Sequence, residues 1–177
     1  MSTRNVILYI AMSLDGFIAD TAGDIDFLRL VEKEGEDYGY NTFSSSTDVV
    51  ILGRKTWDTV LSFNIPDLYS GKKVYVISSS RKGQDGNAYY YNGDLSALIS
   101  KLKSETGLDI YIDGGGELVF SLLSVKLIDR MIISVIPVLL GGGTRLFRPS
   151  FPLQSIKLTN CLTFSTGLVQ LHYELIK

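Results

Sequence analysis

Short apolar runs recur along this chain, and each stops at a polar or glycine-rich turn. Residues 6–12 (VILYIAM) read as a buried strand that ends at Ser-Leu-Asp-Gly. Residues 49–52 (VVIL) make a second strand running into Gly53-Arg54-Lys55-Thr56. A third, 74–77 (VYVI), ends in Ser78-Ser79-Ser80-Arg81, and 88–91 make a fourth. A fifth, 110–112, is broken by Gly114-Gly115-Gly116. Between these runs the period changes to a helical one. The pattern predicts helices over 32–46, over 55–61 with Trp57 and Val60 inward, from an Asp94 N-cap through Leu98, Ile99 and Leu102, and over 118–123. Residues 20–26 are turn-rich and read as a loop. Residues 127–140 form a long β-rich run, and 156–176 split at Thr166-Gly167 into a terminal hairpin.

Strands alternating with helices predict an α/β fold: a central mixed, mostly parallel sheet flanked by helices in three layers, finished by antiparallel C-terminal strands. Neither a repeat nor a linker composition interrupts it, so residues 1–177 read as a single domain. With 45% hydrophobic and 20% charged residues and a formal net charge of -2, the chain has no basic field for nucleic acid or an anionic membrane. Tyr89-Tyr90-Tyr91 has no basic groove beside it, so it reads as a strand and not as a base-stacking strip. Cys161 is the only cysteine and His172 the only histidine, which argues against disulfides, thiolate clusters and multi-histidine metal sites. A secretory signal pattern and a membrane-length apolar run are both missing, so the expectation is a cytoplasmic protein.

In an open α/β sheet, ligands gather beyond the C-terminal ends of the strands. Four such ends here carry glycine, serine or cations: Asp15-Gly16, Gly53 to Thr56, Ser78 to Arg81, and Gly114 to Gly116. Helix starts offer free N–H groups and partial positive charge, glycine allows close approach, and arginine grips phosphate. Each turn alone also fits an ordinary chain reversal. Together they suit a ligand with several phosphates. The Rossmann and P-loop glycine patterns are absent.

VVILGRKTW resembles the signature of dihydrofolate reductases, an apolar strand running into Gly-Arg-x-Thr-Trp. IYIDGGGELVFSLL is similar to that family's second mark, a strand followed by a triple glycine and a helix. ILYIAMSLDGFIA, VYVISSSR, GGGTRLF and QLHYELIK fall in the expected order over nearly the whole chain. SLDGFIA, GDIDFL and IPVLLGGGTRLF are most like the branch holding the reductase domain of the bifunctional riboflavin-biosynthesis deaminase/reductase. The deaminase zinc motifs are absent.

The resemblance implies NADPH as cofactor. Gly53, Arg54, Lys55 and Thr56 would hold its phosphates, and Ser78, Ser79 and Arg81 its 2′-phosphate. Gly114 and Gly115 match the family's cis pair, with Gly115 and Gly116 against the pyrophosphate and nicotinamide. Ala11 and Ile18 match positions lining the nicotinamide pocket. In that family the active-site carboxylate stands fifteen residues before the residue preceding the signature glycine, and counting back from Leu52 reaches Asp37. A carboxylate there would hydrogen-bond the amidine-like edge of a pteridine or pyrimidine, with a pKa raised by burial. Ser134 matches a hydroxyl that supports it. Asp26 is the rival carboxylate, and a solvated acidic face is the bland alternative for Asp37.

Lys72 falls where folate enzymes use an arginine, and Glu117 where the family has a basic residue. The resemblance therefore implies a reductase acting on a small pteridine or pyrimidine, with 5-amino-6-(5-phosphoribosylamino)uracil reduction as an alternative. It also implies a homodimer. A non-catalytic NADPH-binding module and a protein–protein scaffold are the readings of other classes.

Overall fold

Each parallel strand has apolar residues on both sides, so each needs cover on both sides, and the chain supplies it with helices. The computed structural model describes residues 4–63, 65 and 68–176. In chain order its elements are β1 (Val6–Ser13), β2 (Phe17–Ala19), a 3-10 helix (Asp26–Val31), α1 (Tyr40–Ser45), β3 (Thr47–Gly53), α2 (Arg54–Ser62), β4 (Lys73–Ile77), β5 (Gly83–Asp85), β6 (Ala88–Tyr91), α3 (Leu95–Ser104), β7 (Asp109–Gly114), α4 (Gly116–Ser124), β8 (Arg130–Ile136), β9 (Thr144–Arg145), β10 (Ile156–Thr163) and β11 (Val169–Leu175). Nine strands form one sheet in the order β10-β11-β8-β1-β7-β3-β4-β6-β5. The pairs from β8 to β6 are parallel, while β5–β6, β11–β8 and β10–β11 are antiparallel.

Alternation along β1 sends Val6 and Leu8 to one face and Ile7 and Tyr9 to the other. The first face packs Ile110 and Ile112 against Leu98 and Leu102 of α3 and Leu118 and Leu122 of α4. The second packs Val50, Leu52, Val74 and Tyr111 against Phe43 of α1 and Trp57 of α2. Three layers result, as the sequence pattern predicts. Asp94 caps α3 as expected, its carboxylate accepting from the Ala97 N–H at 2.7 Å.

The helix expected over 32–46 shrinks to Tyr40–Ser45. Gly35, Tyr38 and Gly39 all take positive φ, which a helix cannot continue through. The Glu36 and Asp37 side chains bind the N–H groups of Tyr38 and Gly39, each at 2.9 Å, and so stabilise a turn. The β-rich run 127–140 yields only β8, because Pro137 follows it and has no N–H to pair. Three small pieces were not predicted: the 3-10 helix Asp26–Val31, β5, and a ribbon that pairs β2 with β9.

Candidate functional site

Two of the four expected turns meet directly. A Cβ on Gly53 would lie 3.8 Å from both Gly114 O and Gly115 N, and one on Gly115 would lie 3.0 Å from Thr56 Oγ1. The Gly114–Gly115 peptide is cis, as the resemblance implies. Gly116 is required by space, since a Cβ there would meet Arg145 O at 2.5 Å. Arg54 opens α2 behind Gly53, and Gly116 opens α4 behind Gly115. Neither N-cap supplies a side-chain hydrogen bond. Two helix starts therefore present free N–H groups beside one glycine-lined cradle.

Arg54 and Arg81 converge on one carboxylate. Arg54 Nη1 donates to Asp58 Oδ2 and Arg81 Nη1 to Asp58 Oδ1, both at 2.6 Å. Lys55 is exposed and Thr56 half-buried on the same turn. Ser78 behaves differently from expectation. Its buried hydroxyl accepts from the Arg81 N–H at 2.9 Å and from the Ser80 N–H at 3.3 Å, so it shapes the loop that presents Arg81. Ser79 is exposed.

Next to this cradle, at the C-terminal ends of β1 and β8, lies an open cavity of about 540 Å³. Ala11 and Ser134, register partners in neighbouring strands, line its floor with Tyr9 and Ile136, and Tyr40 and Leu168 stand at its walls. Residues 32–34 and 36–37 make the mouth. Ile18 packs against the larger core cluster instead of the cavity.

Asp37 lines this cavity but departs from expectation in two respects. It is exposed, and its pKa is lowered, first by the Asn41 N–H and then by the Gly39 N–H, which outweigh any desolvation. Burial was expected to raise it; the positive-φ turn instead holds the carboxylate outward at the rim. Ser134 does not support Asp37. Its Oγ accepts from Gln170 Nε2 at 3.2 Å. Asp26, the rival acid, is exposed, pairs with Arg29 at 3.3 Å and lies off the cavity lining. Lys72 is no carboxylate clamp, because its Nζ donates to Thr47 O at 2.6 Å, to Thr47 Oγ1 at 3.1 Å and to Ser44 O at the end of α1.

Two groups escaped the sequence reading. Asp113, next to the cis pair, accepts hydrogen bonds from the hydroxyls of Tyr69 and Tyr111. Asp113 keeps an edge at the surface, yet burial of its carboxyl raises its pKa despite those two bonds. The Tyr40 hydroxyl at the cavity wall is pushed up to about 12, first by burial and then by the Asp113 charge. Gln170, fully enclosed, ties Ser134 to the Tyr38 carbonyl at 3.0 Å and to the Tyr9 hydroxyl at 3.3 Å, fixing the cavity floor. An acid closing an apolar strand, and an alternating polar residue in QLHYELIK, were the available signals.

The cradle fits a dinucleotide: glycines that leave no room for a side chain, two uncapped helix starts, and two arginines at one end. Residues 4–170 match the family model described as the RibD C-terminal domain. The chain is 41% identical over 171 residues to the uncharacterized protein YwjB of Bacillus subtilis (strain 168), covering 96% of this chain and 97% of that one. A solved structure from Shewanella sp. PV-4, assigned provisionally to riboflavin biosynthesis, is 32% identical with TM-score 0.90, covering 98% of this chain and 99% of that one. Dihydrofolate reductase from Enterococcus faecalis, solved with NADP(H) and RAB-propyl, shares the fold at TM-score 0.66 and 13% identity, covering 98% and 97%.

Proposed function

The chain belongs to the RibD C-terminal domain family, and from that premise we propose that it is an NADPH-dependent reductase acting on a C=N bond of a pteridine- or aminopyrimidine-type substrate. The supporting observation is adjacency in the sheet: Ala11 and Ser134 floor the cavity from β1 and β8, and β1 is the parallel neighbour of β7, which ends at Gly114 of the cradle. When bound, NADPH supplies hydride to the carbon of that bond.

The protein's own groups do the rest. Arg54, Lys55, Thr56 and the free N–H groups of α2 and α4 hold the phosphates, and Arg81 with Ser79 receives the 2′-phosphate. Ser78 keeps their loop in place. Asp37, ionised throughout the physiological range because its pKa is lowered, orients the N–H edge of the substrate. The reduced nitrogen takes its proton from water admitted by the open mouth. Gln170 positions Ser134 and Tyr9, and burial with the Asp113 charge keeps the Tyr40 hydroxyl protonated.

The exposure of Asp37 favours one other reading, an NADPH-binding module without turnover. Two measurements separate them. A thermal-shift titration with NADPH tests the cradle. NADPH oxidation with dihydropteridines and ribosylaminopyrimidines tests the chemistry: turnover supports the reductase, and binding without turnover of either class supports the module.

The homodimer implied by the resemblance also has a candidate surface. All eight residues of β10 are exposed at the sheet's end, and Ile156, Leu158 and Cys161 share a face with Leu171, Tyr173 and Leu175 of β11. A second copy pairing antiparallel along this edge extends the sheet from one copy into the other.

A further inference from the structure

The mouth of the cavity carries a charge pattern that bears on substrate class. Among the described residues, Glu32, Glu34, Glu36 and Asp37 line it with a single cation, Lys33, whose ammonium donates to Ser165 Oγ at 2.8 Å. Three other basic groups that the sequence offers to a substrate anion are engaged elsewhere. Lys72 is spent on the carbonyls at the end of α1. Arg54 and Arg81 stand at the cofactor end, on Asp58. The floor and walls are aromatic and aliphatic, from Tyr9, Ala11, Tyr40 and Ile136. A flat heterocycle therefore finds stacking surface within, and a negatively charged substituent projecting from it meets four carboxylates against one ammonium.

From this we infer that the site takes a phosphate-free and carboxylate-free heterocycle, uncharged or cationic, and discriminates against the phosphoribosyl and glutamyl forms of the same ring. The inference rests on the cavity being the substrate site of the proposed reductase. It deepens that reading by choosing among its substrates. An aminopyrimidine nucleoside, or a pteridine with a short neutral side chain, fits; a 5′-phosphorylated pyrimidine or a glutamate-tailed folate does not. The rim carboxylates are largely exposed, so water and salt screen them. For a divalent phosphate the pattern is worth about tenfold in affinity at physiological salt, shrinking as salt is added.

The test uses matched pairs with the NADPH-saturated full chain. One pair is a ribosylaminopyrimidine and its 5′-phosphate; the other is a dihydropteridine with a neutral side chain and dihydrofolate. Both kcat/KM and equilibrium binding are measured, at low and high salt, for the natural chain and for Glu32→Lys/Glu34→Lys. These two residues lie on the exposed mouth, and circular dichroism confirms folding of the variant. The inference predicts that the uncharged member of each pair is preferred by about tenfold or more. High salt narrows that preference, and the double variant erases or inverts it. Equal or better handling of the phosphorylated and glutamylated members overturns the inference and leaves the reductase reading standing. Failure of all four ligands to bind or turn over, with NADPH still bound, overturns both.

Discussion

Replacing Lys72 by methionine separates a structural cation from a substrate clamp. The Lys72 ammonium donates to Ser44 O, Thr47 O and Thr47 Oγ1, joining the end of α1 to the first residue of β3. Methionine keeps the apolar stem and removes all three donors. Leaving buried acceptors unpaired costs about 1–3 kcal/mol each, and losing a cation at a helix C-terminus adds about 0.3–1 kcal/mol. Lys72 is only half-buried, so water replaces part of what is lost, and the net is about 2–3 kcal/mol. For a chain of this size that lowers Tm by about 4–12 °C. The assay pairs urea or thermal unfolding with KM for a carboxylated and an uncharged substrate. Reduced stability with an unchanged KM ratio is expected. An unchanged unfolding midpoint, with a KM raised only for the carboxylated substrate, refutes the reasoning and returns Lys72 to the role of clamp.

Arg81→Ala should weaken NADPH binding about tenfold to a hundredfold and leave NADH binding nearly unchanged, whereas Arg54→Ala should weaken both, because Arg54 holds the phosphates the two cofactors share. Isothermal titration with both cofactors checks this, and a constant ratio in Arg81→Ala removes Arg81 from 2′-phosphate recognition. Asp37→Asn should lower kcat while leaving the NADPH dissociation constant unchanged. The lowered pKa of Asp37 also predicts no Asp37 limb in the pH–rate profile between about pH 5 and pH 8. A limb present in the natural chain and missing from the variant would restore the expectation of a raised pKa. Asp15 is held down to about 2, first by the Ser13 hydroxyl and then by the N–H groups of Gly141 and Leu140. Its folded pKa lies below its unfolded one, so its contribution is complete above about pH 4 and is lost as pH falls toward about 2. Urea midpoints of Asp15→Asn and the natural chain should therefore differ at neutral pH and converge in acid; a gap that widens in acid would reverse the sign. Leu158→Lys should yield monomers in sedimentation equilibrium if β10 is the self-association edge, and an unchanged mass excludes that edge.

Much of this was legible because it follows from local rules. VVIL running into Gly-Arg could only be a buried strand meeting a helix, and Asp94 stood where an N-cap must stand. The convergence of Gly53 with Gly114 and Gly115 follows from β3 and β7 being parallel neighbours; the alternating pattern implied the parallel direction, and the strand order came only with the fold. The count to Asp37 reached the cavity rim, but its exposure depended on three positive-φ residues nearby, and Tyr38 is not a residue type that announces one. Lys72 looked like a ligand because nothing local shows that the end of α1 lies within its reach. Asp113 was hidden for the opposite reason: an acid closing an apolar strand reads as the start of a turn, and its partners Tyr69 and Tyr111 become visible only once β7 is packed. Tertiary contacts over long separations decided the cases of Lys72 and Asp113, and a local backbone turn decided that of Asp37.

The most direct test follows the hydride itself. NADPH carrying deuterium on the transferable nicotinamide carbon is incubated with the protein and a neutral dihydropteridine or ribosylaminopyrimidine, and the product is analysed by mass spectrometry and NMR. The account predicts one deuterium on the carbon of the former C=N bond, with markedly less product from Asp37→Asn. Product without deuterium, or NADPH bound tightly with no product from either ring class, would contradict it.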